Sequence, residues 1–293
     1  MIADPELQML TGHDLDILIE EDEADNAVPS VPETPRSKLG DLYKLGNHFL
    51  LCGDSTKHED VHKLVQLAKM DCVITDPPYN VNYKGIGENT SQGIMNDNME
   101  ESAFDDFLHD TFERMAETVK EGAGCYIFHS HKTASQFEKA LKDNKFIIDT
   151  QLIWNKPSAG LGMNHYRTKH EPFFYCSLDK NKTFYGDRTG TTVWKIPNDP
   201  TQKPVELILK ILHNSTKKGD FVLDLFGGSG TTLIACEKAS RQAFIMEFDP
   251  HYADVIVQRY VNFITAWNRN NPDNQLPIQV TKNGTPETWE PTI

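Results

Sequence analysis

The 293-residue sequence predicts an α/β protein built on a doubly wound, mostly parallel sheet with helices on both faces. Three observations predict it. From residue 39 onward, short apolar runs alternate with helix-length amphipathic segments. One apolar run, Phe221-Val222-Leu223, ends in a glycine turn that opens a helix. Another, Asp71-Cys72-Val73-Ile74-Thr75, ends in Asp76-Pro77-Pro78-Tyr79.

Taken in order, the apolar run His48-Phe-Leu-Leu-Cys52 is a strand, followed by a helix over 58–69 and a strand over 71–75. A helix over 103–119 follows, with Phe104, Phe107, Leu108, Met115 and Val119 on one face at helical spacing. Then come a strand at 123–128, a helix at 132–143, and strands at 146–154 and 171–177. A helix at 204–215 leads to a strand at 221–225, a helix at 230–240, a strand at 243–248 and a helix at 251–267. The stretches 80–98 and 156–200 are rich in Gly, Asn and Thr and read as loops that carry binding.

The chain divides into an acidic, proline-containing arm (1–38), a main domain (39–270) and a tail (271–293), with 156–200 as an insert in the main domain. The arm reads either as a solvated segment or as a docking element. The sequence has no apolar run long enough to span a membrane, which takes about 20 residues. Its first residues carry Asp4 and Glu6 without a basic residue, unlike a signal peptide, so a cytoplasmic protein is expected. The five cysteines form no C-x-x-C pair and read as buried, reduced thiols; no metal site is expected.

A net charge of −14 argues at first sight against nucleic acid, whose phosphates call for Lys and Arg. Residues 1–35, however, hold ten acidic residues and no Lys or Arg, leaving −4 for 36–293. Residues 156–203 hold eight Lys and Arg against four acids, a local +4. A DNA-facing surface would therefore be local.

The turn Asp224-Leu225-Phe226-Gly227-Gly228-Ser229-Gly230-Thr231 brings backbone N–H groups close to a ligand, and it lacks a P-loop lysine. Glu247 closes the next strand about 20 residues on, where an acid accepts hydrogen bonds from ribose hydroxyls. This is an adenosine-cofactor site. In Asp76-Pro77-Pro78-Tyr79 the prolines stiffen an extended backbone. The Pro77 carbonyl and the Asp76 carboxylate form two acceptors for an exocyclic amino group, and Tyr79 offers a face on which a flipped base stacks.

Together, Asp76-Pro-Pro-Tyr79 and Phe226-Gly-Gly-Ser-Gly230 resemble the catalytic and cofactor motifs of the S-adenosylmethionine-dependent DNA amino-methyltransferases. Their order, catalytic motif first, resembles the permuted β class. Leu51-Cys-Gly-Asp54, Trp154-Asn-Lys-Pro157, Pro200-Thr-Gln-Lys-Pro-Val-Glu-Leu207, Glu247-Phe-Asp-Pro-His-Tyr252 and Arg259 extend the likeness over roughly residues 40–263. The resemblance implies a Rossmann-like, seven-stranded methyltransferase sheet and S-adenosylmethionine as cofactor. It implies that Asp224, Phe226, Gly227, Gly228, Ser229, Gly230 and Thr231 line the cofactor, with Thr201 and Lys203 near its methionine end, Glu247 on its ribose and Asp54 nearby. In that fold the strands ending at Asp76 and Asp224 lie side by side, and the helices that follow them go to opposite faces.

The partner is DNA, with a second copy of the chain as an option and no membrane. Expected DNA contacts are Asn80, Tyr83, Lys84, Lys156, Asn164, His165, Arg167 and Lys169. Asp at the head of the catalytic motif is typical of N6-adenine enzymes in the family, and Ser of N4-cytosine ones. Methylation of adenine N6 is therefore expected, with N4-cytosine as the alternative and RNA or protein amino-methylation further off. Transfer to cytosine C5 is disfavoured, because none of the sixteen prolines precedes a cysteine nucleophile. The insert at 156–200 is the natural place for target recognition, and its shortness suggests a short target or weak selectivity; the setting is expected to be bacterial or phage, including restriction-modification.

Overall fold

In the computed structural model the described residues are 23–82, 95, 97–159, 165–196 and 203–293. In chain order they form β1 (Leu42–Leu45), β2 (His48–Cys52), α1 (His58–Val65), β3 (Met70–Thr75), α2 (Glu101–Thr118), β4 (Val119–Phe128), α3 (Ala134–Asp143), β5 (Ile147–Asn155), β6 (His170–Ser177), β7 (Val193–Lys195), α4 (Val205–Ser215), β8 (Phe221–Asp224), α5 (Thr231–Lys238), β9 (Gln242–Glu247), α6 (Pro250–Asn270), β10 (Val280–Lys282) and β11 (Thr285–Pro286).

All strands join one sheet in the order β11-β10-β1-β2-β9-β8-β3-β4-β6-β5-β7. The seven strands read from the sequence form its uninterrupted centre, β2-β9-β8-β3-β4-β6-β5. β2, β9, β8, β3 and β4 run parallel, and β6 is antiparallel to both β4 and β5. Four further strands extend the edges. Each has four residues or fewer, and β1, β7 and β10 pair with strands remote in the chain, as when Tyr43 of β1 pairs with Lys282 of β10. Strands this short show no readable alternation.

Each face of the sheet carries its own apolar core. One is filled by α4, α5 and α6, with Ile208, Leu212, Ile234, Ile256 and Val261 packed on Cys72, Tyr126 and Val222. The other is filled by α1, α2 and α3, with Leu64, Phe104, Leu108, Phe112, Phe137 and Leu141 packed on Val73, Ile127 and Leu223. The helices after β3 and β8, α2 and α5, therefore lie on opposite faces, as expected. All five cysteines are free and buried.

The helix expected over 103–119 stops at Thr118, and Val119 instead opens β4 by pairing with Met70 of β3. The helix expected over 58–69 stops at Val65, because Gln66 and Leu67 adopt φ of 50° and 69°. At the start of α6, Asp249 accepts the His251 N–H at 2.9 Å and Pro250 opens the first turn.

The described part of the N-terminal arm lies on the α4–α6 face. Lys238 pairs with Asp25, Arg259 donates to the Asp25 carbonyl at 2.9 Å, and Asp254 accepts from the Ser37 N–H at 3.0 Å. At the other end of the chain, Trp289 is buried and β10 extends the sheet. No described helix is long and apolar enough to cross a membrane.

Candidate active site

β3 and β8 are neighbours and parallel, with Cys72 opposite Val222 and Val73 opposite Leu223. Their carboxyl ends therefore deliver Asp76 and the glycine turn to the same edge of the sheet, where ligands of open α/β folds bind. A cross-link holds the two ends together. Thr75 Oγ1 donates to Asp224 Oδ1 at 3.1 Å and accepts the Leu225 N–H at 3.2 Å.

Asp76 stands at the centre of a closed network. Its Oδ1 accepts the Tyr79 hydroxyl and its Oδ2 accepts Lys203 Nζ. The same two donors also meet Glu171 Oε1, the hydroxyl at 3.0 Å and Nζ at 2.7 Å. Lys156 Nζ holds the other Glu171 oxygen at 2.6 Å. Burial alone would raise the Glu171 pKa, but Lys203 and Lys156 beside it hold it down at about 2. Burial would likewise drive the Lys203 ammonium toward neutrality, yet Asp76 and Glu171 keep it above the ordinary lysine range. Tyr79 is pushed well above an ordinary phenol, first by burial and then by the two carboxylates. Its ring meets Phe137 edge-on at 6.3 Å.

Glu171 was not among the residues singled out from the sequence. Its strand explains its position. β6 runs opposite to its neighbours, so its first residues lie where the parallel strands end. The only sequence signal was a carboxylate opening an otherwise apolar run, Pro172-Phe-Phe-Tyr-Cys176. Lys203 and Lys156 were expected on the cofactor and on DNA respectively; in the structure both are committed to carboxylates of this network.

On the β8 side the backbone turns sharply. Gly228 and Gly230 have φ of +51° and +87°, a region that favours glycine. A Cβ on Gly227 would lie 2.5 Å from Ile245 Cγ2, so the turn packs directly on β9. Gly228 N–H donates to Glu247 Oε2 at 2.7 Å, and Asp249 N–H donates to Oε1 at 2.9 Å. Burial raises the Glu247 pKa to about 7, and among the described residues no cation pairs with it. Phe226 rests edge-on against Phe107 at 5.8 Å.

Several residues expected on the cofactor are engaged elsewhere. Asp224 is buried, its pKa raised to about 7 by that burial, and its carboxylate accepts from Thr75, from Thr232 Oγ1 at 2.6 Å and from the Phe226 N–H at 3.1 Å. It braces the turn from within. Arg259 Nη1 reaches Ser229 Oγ at 3.2 Å and Thr231 Oγ1 at 3.1 Å, so these hydroxyls fasten the turn to α6. Asp54 Oδ1 accepts the Thr56 N–H and hydroxyl at 3.0 and 2.7 Å, shaping the entry to α1. Thr201 lies outside the described residues.

Of the expected DNA contacts, His165, Arg167 and Lys169 are exposed next to β6. Asn80 is not a free reader. Its amide pairs both ways with Met99, accepting the N–H at 2.6 Å and donating to the carbonyl at 3.0 Å. Asp97 also binds the Val81 N–H at 3.2 Å, so these contacts tie Asn80 and Val81 to Asp97 and Met99. Tyr83, Lys84 and Asn164 lie outside the described residues. A possible metal cluster among the described residues, His58, His62 and Glu117, has ligand atoms within 4.8 Å of one another. Arg114 Nη1 already sits 3.0 Å from Glu117 Oε1 and 3.1 Å from His58 Nδ1, placing a cation there.

The family model described as "DNA methylase" matches residues 70–258, which include both turns and Glu247. The type II methyltransferase M2.MboI of Moraxella bovis is 26% identical over 219 residues, covering 65% of this chain and 80% of that protein. The DNA adenine methyltransferase YhdJ of Escherichia coli (strain K12) is 26% identical over 239 residues, covering 67% and 78%. The crystal structure of the M1.HpyAVI-SAM complex superposes with a TM-score of 0.54 at 25% identity, covering 72% of this chain and 98% of that one. With its motifs at adjoining strand ends and the family match across them, the chain belongs to the DNA methylase family of N6-adenine and N4-cytosine amino-methyltransferases, which use S-adenosylmethionine as methyl donor.

Proposed function

We propose that this enzyme methylates the exocyclic N6 of an adenine flipped out of DNA, with Asp76 as the acceptor that grips the amino group. The observation that carries the proposal is the position of the Asp76 carboxylate. It stands at the end of β3, next to the β8 glycine turn and bound to it through Thr75 and Asp224. The adenine preference is supported by the Asp at the head of the motif and by the similarity to YhdJ.

The β8–β9 side fits an adenosine donor. Glu247 is a part-buried carboxylate that has no cation partner among the described residues, where each oxygen accepts one backbone N–H. A carboxylate oxygen has capacity for a second donor, and a ribose diol supplies two. When bound, S-adenosylmethionine supplies a sulfonium methyl group that a base nitrogen can attack. Asp76 and the Pro77 carbonyl accept hydrogen bonds from the amino group, and Asp76 receives the proton that the nitrogen sheds as it is methylated. The Tyr79 ring supports the extruded base. Asp224 and Arg259 keep the glycine turn in shape without touching the ligand. His165, Arg167 and Lys169 meet the DNA backbone near the flipped base.

The test is nucleoside mass spectrometry of DNA methylated by the wild type and by Asp76→Ala. N6-methyladenine from the wild type, none from the variant, and retained S-adenosylmethionine binding in both are expected. N4-methylcytosine as the product would overturn the choice of base, and full activity of Asp76→Ala would overturn the mechanism.

A further inference from the structure

We propose that Glu171 is a positioning residue for methyl transfer, a reserve acceptor that takes the Tyr79 hydroxyl from Asp76 when the base amino group arrives, while Lys203 stays shared between the two carboxylates. The proposal rests on the reading that Asp76 receives that amino group.

The Asp76 carboxylate is already occupied. Both Asp76 oxygens are engaged, Oδ1 by the Tyr79 hydroxyl and Oδ2 by Lys203 Nζ. Each oxygen can accept a second donor, but an incoming amino group must then compete with these donors for the charge of the carboxylate. Lys203 is only 15% exposed at its side chain, and stripping a buried ammonium of its carboxylate is costly. Glu171 removes that cost. Its Oε1 already lies 3.0 Å from the hydroxyl and 2.7 Å from Nζ, so either donor can leave Asp76 while keeping a partner. A phenol has one hydrogen and serves one carboxylate at a time, whereas an ammonium has three and serves both. The Tyr79 hydroxyl is therefore the switchable donor, and Asp76 Oδ1 the oxygen that becomes free. Lys156, on the far oxygen of Glu171 at 2.6 Å, keeps that carboxylate ionised and ready to accept. Glu171 itself is fixed by β6, where it stands in register with Trp154 of β5.

Glu171→Gln, Tyr79→Phe and the double variant test this by single-turnover methylation, S-adenosylmethionine titration and thermal melting. Glu171→Gln is expected to slow transfer by about tenfold or more, with cofactor affinity nearly unchanged, because Tyr79 and Lys203 then have only Asp76 as a charged partner. Adding Tyr79→Phe keeps the ring but frees Asp76 Oδ1, and it should recover about threefold or more of that loss. If Glu171 merely neutralises the two lysines, stability falls but the phenylalanine recovers nothing, which overturns the proposal; an unchanged rate in Glu171→Gln overturns it as well. Should Glu171→Gln fail to fold, Glu171→Asp keeps the charge and shortens the reach. It should be slowed and rescued by Tyr79→Phe in the same way, and absence of either effect counts against the proposal. Failure of the underlying reading is distinguishable, since it appears as activity in Asp76→Ala whatever Glu171 does.

Discussion

Thr75 and Asp224, 149 residues apart in the chain, share a 3.1 Å hydrogen bond that ties the catalytic strand end to the cofactor strand end. The threonine Oγ1 also accepts the Leu225 N–H, so one hydroxyl serves both a buried carboxylate and a buried amide. Thr75→Val keeps the shape and removes both bonds. A loss of about 1–3 kcal/mol in denaturant unfolding is expected, from leaving buried polar groups without a partner. Weaker S-adenosylmethionine binding should accompany it as the glycine turn loosens. Wild-type affinity in a destabilised Thr75→Val protein would show that the turn needs no such brace.

Glu247 gives the cofactor site a pH dependence. Burial raises its pKa to about 7, so below that pH the ligand-free protein holds a proton on it. Folding thus favours the protonated acid. That increment of ligand-free stability is present below the ordinary carboxylate range and is lost as the pH rises to about 7. Ribose hydroxyls donate best to the ionised form, so cofactor binding should release a proton and tighten as the pH rises through about 7. Calorimetric titration in two buffers of different ionisation enthalpy reads both effects. Glu247→Gln should bind more weakly and with a flat profile, and an unchanged pH profile in that variant would remove Glu247 from the ribose.

Arg167 and Lys169 provide the electrostatic test of the DNA face. Both are exposed beside the strand that carries Glu171, and neither forms an ion pair among the described residues. If they meet phosphates, alanine at each should lower the slope of log affinity against log salt by about 1, with weakening nearly uniform across DNA sequences. Cofactor affinity should not move. A salt slope equal to that of the wild type would place the DNA elsewhere.

Much of the site was legible because it is local. Asp76-Pro77-Pro78-Tyr79 and the glycine turn are continuous stretches whose backbone demands are written in their own residue types, and Glu247 follows at a fixed spacing. Residues that act across the sheet were harder to assign. Lys203, Lys156 and Asn80 were singled out, yet their partners turn out to be Asp76, Glu171 and Met99, up to 127 residues away. Asp224 was read as a cofactor residue from its place before the glycine turn, and the structure adds that Thr75 and Thr232 close on its carboxylate from β3 and α5. Glu171 was passed over altogether, since a single acid at the head of an apolar strand looks like an ordinary strand boundary.

The sequence by itself determined the alternation of strands and helices, the two turns and their order, because these depend on residue periodicity, proline and glycine over a few positions. It was enough to point to chemistry on an amino group with an adenosine-bearing donor. The tertiary structure decided which charges meet. β6 runs antiparallel among parallel neighbours, and that reversal carries Glu171 to the carboxyl edge where β3 delivers Asp76. Burial at that edge then sets what each group can do. Isolated carboxylates such as Glu247 are raised toward neutrality, while Glu171, between two lysines, stays ionised as a partner for the donors on Asp76.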